Sequence, residues 1–343
     1  METGQIRILN EQDVRSLLDM PTVLADVETA LKEHAQGDCV NPLKLHLSLR
    51  PEIEGYMNSM PAYLKWHEVM GAKLVSVYKH NTQQFGLPVT MGTILLQRPQ
   101  SGLPFALVAG TGITSLRTGA AAGIGAKHLA KKGAHTALQI GAGAQGHMGA
   151  RAILTAVPAI DELRVADLNE QTLSEFVASI HAEFPQVTVI PFSDYRKAIP
   201  GAEIICVSTT SPMPLLRGQA LDKGATVLLI AELVDNADLK QYDRCILDFP
   251  ECFCDRINDD LDKWSKRTGL PYETIELSTC SASLGEVIAG QKPGRVNEDD
   301  IIVVGFVGMG IEDVIVAKTA FDRAEQNNAG VVLDFSNEPS PTA

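Results

Sequence analysis

Residues 135–146 read HTALQIGAGAQG, and the fold of the chain turns on them. His135 to Ile140 is an apolar run suited to a strand. Gly141-Ala142-Gly143-Ala144-Gln145-Gly146 has GxGxxG spacing, His147 to Ala156 continues with helical spacing, and a second strand, Leu163 to Ala166, ends at Asp167. Alone the glycine pattern is weak; strand, loop, helix, strand and acid in that order form the context a dinucleotide-binding turn requires. Gly141 permits the tight turn, Gly143 lets the backbone approach a pyrophosphate, and Gly146 lets helix and strand pack closely. The unpaired N–H groups and dipole of the helix N-terminus then stabilise phosphate charge. Asp167 lies somewhat beyond the usual ~20 residues. Its carboxylate would accept hydrogen bonds from both adenosine ribose hydroxyls and repel a 2′-phosphate. Leu168 and Asn169 supply no arginine, so NAD is expected rather than NADP. Gly141, Ala142, Gly143, Ala144, Gln145 and Asp167 are the candidate cofactor residues.

Strand–helix alternation continues downstream. Glu170 to Glu183 is helical, and strands are expected at Val187 to Pro191, Glu203 to Ser208, Ala225 to Ile230, Arg244 to Asp248 and Asp300 to Val304. That rhythm is the signature of a Rossmann-type doubly wound parallel sheet. Upstream, the first ~115 residues read as α+β: helical spacing over Glu11 to Asp19 and Pro21 to His34, with Pro21 suited to a first helical position. Short strands follow at Lys44 to Leu49, Tyr56 to Met60, Ala72 to Tyr78, Met91 to Leu96 and Phe105 to Ala109. The Ala-rich stretch from Arg117 to Lys131 is a helix stopped by Gly133, and a last helix spans Gly310 to Gln326.

A chain of 343 residues fits two domains, and 45% hydrophobic content supplies their cores. The 29 Lys and Arg against 42 Asp and Glu leave a net charge of −13, which argues against a nucleic-acid or anionic-membrane partner. No apolar run approaches the ~20 residues that span a bilayer. The N-terminal METGQIRILNEQ has early acids and no apolar core, so no signal peptide is expected there. Six cysteines are sparse for this length, and Cys252 and Cys254 have CxC rather than metal-binding spacing. The expectation is a cytoplasmic protein with reduced thiols and no metal.

Cations stand out in so acidic a chain. Lys73 interrupts an apolar strand, so it either points to solvent or reaches into a cleft. Arg117 begins the helix that leads into the nucleotide domain, where its forked guanidinium could pair with a carboxylate beside the glycine loop. Lys44 follows Pro42 on a short strand. His46, His67 and His80 show no metal spacing and read as surface or core-edge residues.

At these residues the chain resembles the ornithine cyclodeaminase/mu-crystallin family over nearly its whole length. The matching stretches are Met60-Pro-Ala-Tyr-Leu64, Gly71-Ala-Lys73-Leu-Val75, Asn81 with Gly86-Leu-Pro88, Thr114-Ser-Leu-Arg117-Thr118-Gly-Ala120 and the GAGAQG loop. Gly285-Glu286, Gly294-Arg295 and Gly308 to Asp313 complete them. The resemblance implies a Rossmann domain, here 126–310, inserted into an α+β substrate-binding and dimerisation domain, here 1–125 plus 311–343, in a homodimer. It implies that Lys73 and Arg117 grip a substrate carboxylate with Lys44 nearby, and that Arg117 and Thr118 meet the cofactor. Two acids of the family's cyclodeaminases are altered: the first position is Asn58, and the second region offers Glu232 and Asp235 without the surrounding glycines and proline. The resemblance therefore implies an NAD(H)-dependent oxidoreductase acting on the C–N bond of a small 2-imino or 2-amino acid, with Lys73 as the catalytic candidate. Imine (ketimine) reductases and amino-acid dehydrogenases form this class, exemplified by alanine dehydrogenase, cyclic ketimine reductase and iminosuccinate reductase. The alternative is an ornithine- or lysine-type cyclodeaminase, an ammonia-lyase with bound NAD.

Overall fold

The structure, a computed structural model, describes residues 4–50, 52–209, 211, 214–230 and 233–335. The chain divides into two compact units, Met1–Arg117 with Met309–Ala343, and Thr118–Gly308.

The first unit runs β1 (Gln5–Leu9), α1 (Glu11–Leu17), α2 (Met20–Ala35), β2 (Cys39–Val40), β3 (Leu45–Ser48), β4 (Gly55–Leu64), β5 (Val69–Tyr78), α3 (Asn81–Phe85), β6 (Thr90–Gln97), β7 (Pro104–Ala109) and the start of α4 (Thr111–Leu129). The unit boundary at Arg117/Thr118 falls inside α4. The second unit continues with β8 (Thr136–Ile140), α5 (Ala144–Ala156), β9 (Glu162–Ala166), α6 (Glu170–Glu183), β10 (Thr188–Phe192), β11 (Ile204–Val207) and β12 (Thr226–Ile230). It closes with α7 (Asn236–Leu239), β13 (Arg244–Leu247), α8 (Pro250–Thr268), β14 (Ala282–Ser283), α9 (Leu284–Ile288) and β15 (Ile302–Phe306). The chain then returns to the first unit as α10 (Gly310–Asn327) and β16 (Val331–Asp334).

Caps explain several helix starts. Asn10 accepts from the Gln12 and Asp13 amides, and the Asp13 carboxylate accepts from the Asn10 amide, a reciprocal cap for α1. Asp19 caps α2, so the helix begins at Met20 and Pro21 takes its second position, where a missing N–H still costs nothing. The sheet of the first unit orders β16-β1-β7-β6-β5-β4-β2, with β3 also on β4. Alternation along β4 buries Asn58, Met60, Ala62 and Leu64, and along β5 it buries Val69, Gly71, Lys73 and Val75. In the antiparallel register Met60 faces Lys73 and Asn58 faces Val75, so all four project from one face. Against that face lies α10, buried at every residue from Gly310 to Ala317. A Cβ on Gly310 would stand 2.8 Å from the Pro61 carbonyl oxygen, so only glycine lets the helix approach β4 this closely.

The second unit is an eight-stranded parallel sheet in the order β10-β9-β8-β11-β12-β15-β13-β14. Its central strands are buried throughout, as a sheet covered on both faces demands. The direction of strand order reverses between β8 and β11, the switch point where such sheets bind ligands. β15 comes last in this unit's sequence yet sits between β12 and β13. The helix α8 and the strands β1 and β16 are elements that the sequence reading did not anticipate. No helix among the described residues is long and apolar enough to cross a membrane.

Candidate active site

The apolar run around Lys73 carries a lysine inward. Lys73 is 1% exposed, and of its two sequence-level alternatives solvent is excluded. The Lys73 Nζ donates to Asp313 Oδ1 at 2.7 Å. The same oxygen accepts from Arg117 Nε at 3.0 Å, and Arg117 Nη1 donates to Glu312 Oε2 at 3.0 Å. Arg117 is buried on α4, and both acids are wholly buried in the first turn of α10. Two cations and two anions thus sit together with their charges balanced. Asp313 Oδ2 has no hydrogen-bond partner among the described residues.

Burying four ionised groups is costly, and apolar replacements of similar shape often stabilise such sites. A cluster of this kind therefore points to chemistry. Burial pushes the Lys73 ammonium down from 10.5 to about 8, and the neighbouring Arg117 charge pushes the same way, against the opposing pull of Asp313 and Glu312. An amine with that proton affinity can give or take a proton near neutral pH. For Arg117, burial works against the charge, but Asp313 and Glu312 overcome it and the guanidinium is held above its ordinary value. The arginine stays a cation, and the two acids engage two of its five N–H donors.

On the same sheet face Asn58 is buried, and its Oδ1 meets His46 Nδ1 at 2.8 Å. The His46 ring lies 5.0 Å from that of Tyr56, tilted by 47°. Lys44 is half-buried immediately before β3, two residues from His46.

In the second unit the glycine loop has the form its spacing implies. Gly141 adopts φ +95°, and a Cβ there would stand 2.2 Å from the Ser208 carbonyl oxygen on the neighbouring β11 side. A Cβ on Gly146 would stand 1.9 Å from the Gly141 oxygen. Gly143 caps α5 without a side-chain hydrogen bond, and a Cβ there would meet nothing within 4 Å. Gly143 and Ala144 are exposed, and Gln145 is half-exposed. The loop is therefore braced from behind and open in front, with first-turn N–H groups free of a side-chain cap, which fits a pyrophosphate. Beneath it the buried Gln139 Nε2 donates to the Ile140 and Gly141 carbonyls at 3.1 Å each and to Ser208 Oγ at 2.8 Å. Asp167 Oδ2 accepts from the Ala142 amide at 2.8 Å, and Oδ1 from the Asn169 amide at 2.9 Å. Those bonds fix the carboxylate at the loop and leave lone pairs for ribose hydroxyls. Thr118 is half-buried on α4; its neighbour Gly119 approaches the Met148 backbone in α5 so closely that a Cβ would stand 2.5 Å away.

Several residues singled out in the sequence have structural work instead. Asp235 caps α7 and pairs with Arg217 at 3.0 Å, so its carboxylate is taken. Glu232 lies outside the described residues. Glu286 completes the reciprocal cap of α9. Arg295 donates to the Leu129, Gly224 and Asp300 carbonyls, tying three segments of the second unit together. His67 lies 3.4 Å from Glu33 in a half-buried contact at the core edge, His80 lies 3.1 Å from Glu54 on the surface, and His46 meets Asn58. The six cysteines are free thiols, and no cluster of three or more His, Cys, Asp or Glu among the described residues could hold a metal. Sequence reasoning missed the roles of Glu312 and Asp313. They stand in the quoted Gly308 to Asp313 stretch, and the signal was two acids in an otherwise apolar helical turn.

The ornithine cyclodeaminase/mu-crystallin family model matches residues 5–328. An alanine dehydrogenase from Archaeoglobus fulgidus is 29% identical over 328 residues, covering 96% of this chain and 98% of its own. Among solved structures, the Thermococcus litoralis Δ1-pyrroline-2-carboxylate reductase in complex with NADH and L-proline has a TM-score of 0.85 at 29% identity, covering 95% of this chain and 99% of that one. An archaeal alanine dehydrogenase dimer with bound NAD has a TM-score of 0.84 at 26% identity, covering 97% and 100%.

Proposed function

This chain belongs to the ornithine cyclodeaminase/mu-crystallin family, and on that premise we propose that it is an NAD(H)-dependent oxidoreductase acting on the C–N bond of a small 2-imino or 2-amino acid. It works as an imine (ketimine) reductase or an amino-acid dehydrogenase. The observation that carries this reading is the buried quartet of Lys73, Arg117, Glu312 and Asp313, a lysine near pKa 8 beside a rigidly held guanidinium. It is supported by relatives named for alanine and for pyrroline-2-carboxylate.

Gly141, Ala142, Gly143, Ala144 and Gln145 would hold the pyrophosphate with Thr118, and Asp167 would hold the adenosine ribose. The bound dinucleotide supplies the hydride donor or acceptor. An imine carbon beside a carboxylate is already electrophilic, so the chain's task is orientation and charge pairing. Arg117, clamped by Glu312 and Asp313, offers its remaining donors to the substrate carboxylate together with Lys73 and with Lys44 nearby. In the reductive direction the Lys73 ammonium gives its proton to the substrate nitrogen; in the oxidative direction the neutral amine takes that proton back. The test is NADH consumption with ammonia and a panel of 2-oxo acids, and with preformed cyclic imines. Oxidation of NADH by at least one acceptor is expected. Ammonia release from ornithine or lysine without net NADH change, and no imine reduction, would overturn the reading.

Two further expectations belong to it. Asp167→Ser should lower the NAD-over-NADP ratio of kcat/KM by about ten- to a hundredfold, the worth of hydrogen bonds to a charged group. The ratio is the right readout, because the variant also loses the bond to the Ala142 amide. The chain should also form a homodimer. Val331, Val332, Leu333 and Phe335 on the β16 side, and Leu45 and Leu47 on β3, are large apolar side chains left exposed. A light-scattering mass of twice 36.9 kDa is expected, and a monomer at micromolar concentration would contradict it.

A further inference from the structure

We propose that Asn58 selects substrates whose side chain carries a hydrogen-bond acceptor, a carbonyl or a carboxylate. This inference rests on the reading of the Lys73 face as the substrate site. Asn58 is 6% exposed and stands on β4 opposite Val75, diagonal to Lys73 in the antiparallel register. Diagonal neighbours lie roughly 7–8 Å apart between Cα atoms, a span that one small acid bridges. Asn58 Oδ1 faces His46 Nδ1 at 2.8 Å; a carbonyl oxygen only accepts, so this contact requires the tautomer of His46 that is protonated at Nδ1. The two N–H donors of Asn58 Nδ2 have no partner among the described residues.

With the residue 6% exposed, the amide nitrogen can reach only a narrow opening, and a ligand acceptor there would take a hydrogen bond worth about 1 kcal/mol. The charges around it favour the same polarity. Both carboxylates on the face, Asp313 and Glu312, are already bonded to Lys73 and Arg117. The titratable side chain touching Asn58 is His46, and Lys44 precedes it by two residues. A side-chain ammonium placed at Asn58 would meet N–H donors, whereas the unpartnered carboxylate oxygen, Asp313 Oδ2, lies beside Lys73.

The wild-type enzyme is assayed first, with NADH, ammonia and three 2-oxo acids of matched size: 2-oxobutanoate, oxaloacetate and its side-chain amide, 2-oxosuccinamate. Either or both acceptor-bearing acids should exceed 2-oxobutanoate in kcat/KM by about tenfold or more. Asn58→Leu should bring the ratio near one. Asn58→Asp separates the two acceptors: it should repel oxaloacetate and spare the amide, whose own N–H it can accept. A wild-type preference for 2-oxobutanoate, or an unchanged ratio in Asn58→Leu, overturns the inference while leaving imine reduction intact. Absence of NADH oxidation with every acceptor, cyclic imines included, overturns the underlying reading instead.

Discussion

Lys73→Ala should lower kcat/KM for imine reduction by about 10²–10⁴-fold, the range removed with a positioned general acid. The lysine is 1% exposed, its Nζ is fixed by Asp313 at 2.7 Å, and burial beside Arg117 brings it down to about 8. Each property suits proton transfer, and alanine removes all three. Lys73→Arg should fail to restore activity, because a guanidinium keeps its proton and needs a different geometry. Cofactor binding distinguishes a local loss from a collapsed fold: NADH affinity measured by fluorescence titration should stay within a few-fold of wild type. Near-normal turnover in Lys73→Ala would remove the residue from the chemistry.

Removing the shared acid should produce the largest loss of stability. Asp313→Ala leaves Lys73 and Arg117 buried with Glu312 as the remaining anion of the quartet, and breaking a buried pair in this way costs about 3–5 kcal/mol. The urea midpoint should fall accordingly. Asp313→Asn keeps the shape and loses the charge, so it separates packing from electrostatics. In that variant the larger part of the pull that raises the Lys73 proton affinity is gone, with that of Glu312 remaining, and the activity limb near pH 8 should move to lower pH. An unmoved limb with lowered stability would make Asp313 purely structural. For stability the sign is also defined. The folded lysine loses its proton near pH 8 and the unfolded one near 10.5, so the unfolded chain binds more protons in between. This group's contribution therefore makes stability rise with pH across that window.

The range of each interaction decides whether the sequence reveals it or hides it. The glycine loop was legible because strand, turn, helix and acid are contiguous between His135 and Asp167, and Gly141 and Gly146 answer backbone contacts made with Ser208 and within the loop itself. Lys73 was ambiguous because its direction depends on which residues of β4 it faces, and register is not visible from one strand. Its partner lies 240 residues further on. That Asp313 reaches it depends on α10 crossing β4 at Gly310, a long-range packing fact with only a glycine to announce it. Asp235 misled in the opposite direction: an acid near the expected place proved to be a helix cap paired with Arg217. The strand β16 escaped notice because it is exposed at every position and has no inward-outward alternation to read.

The pH dependence of kcat/KM, measured in both directions on wild type and Lys73→Ala, tests most directly whether Lys73 moves the proton. Reduction should fall as pH rises through about 8, because the donor is the ammonium, and oxidation should rise through the same point, because the acceptor is the amine. Both limbs should vanish in Lys73→Ala. Flat wild-type profiles between about pH 7 and 9, or the same limbs persisting without the lysine, would contradict a proton-transfer role for this residue.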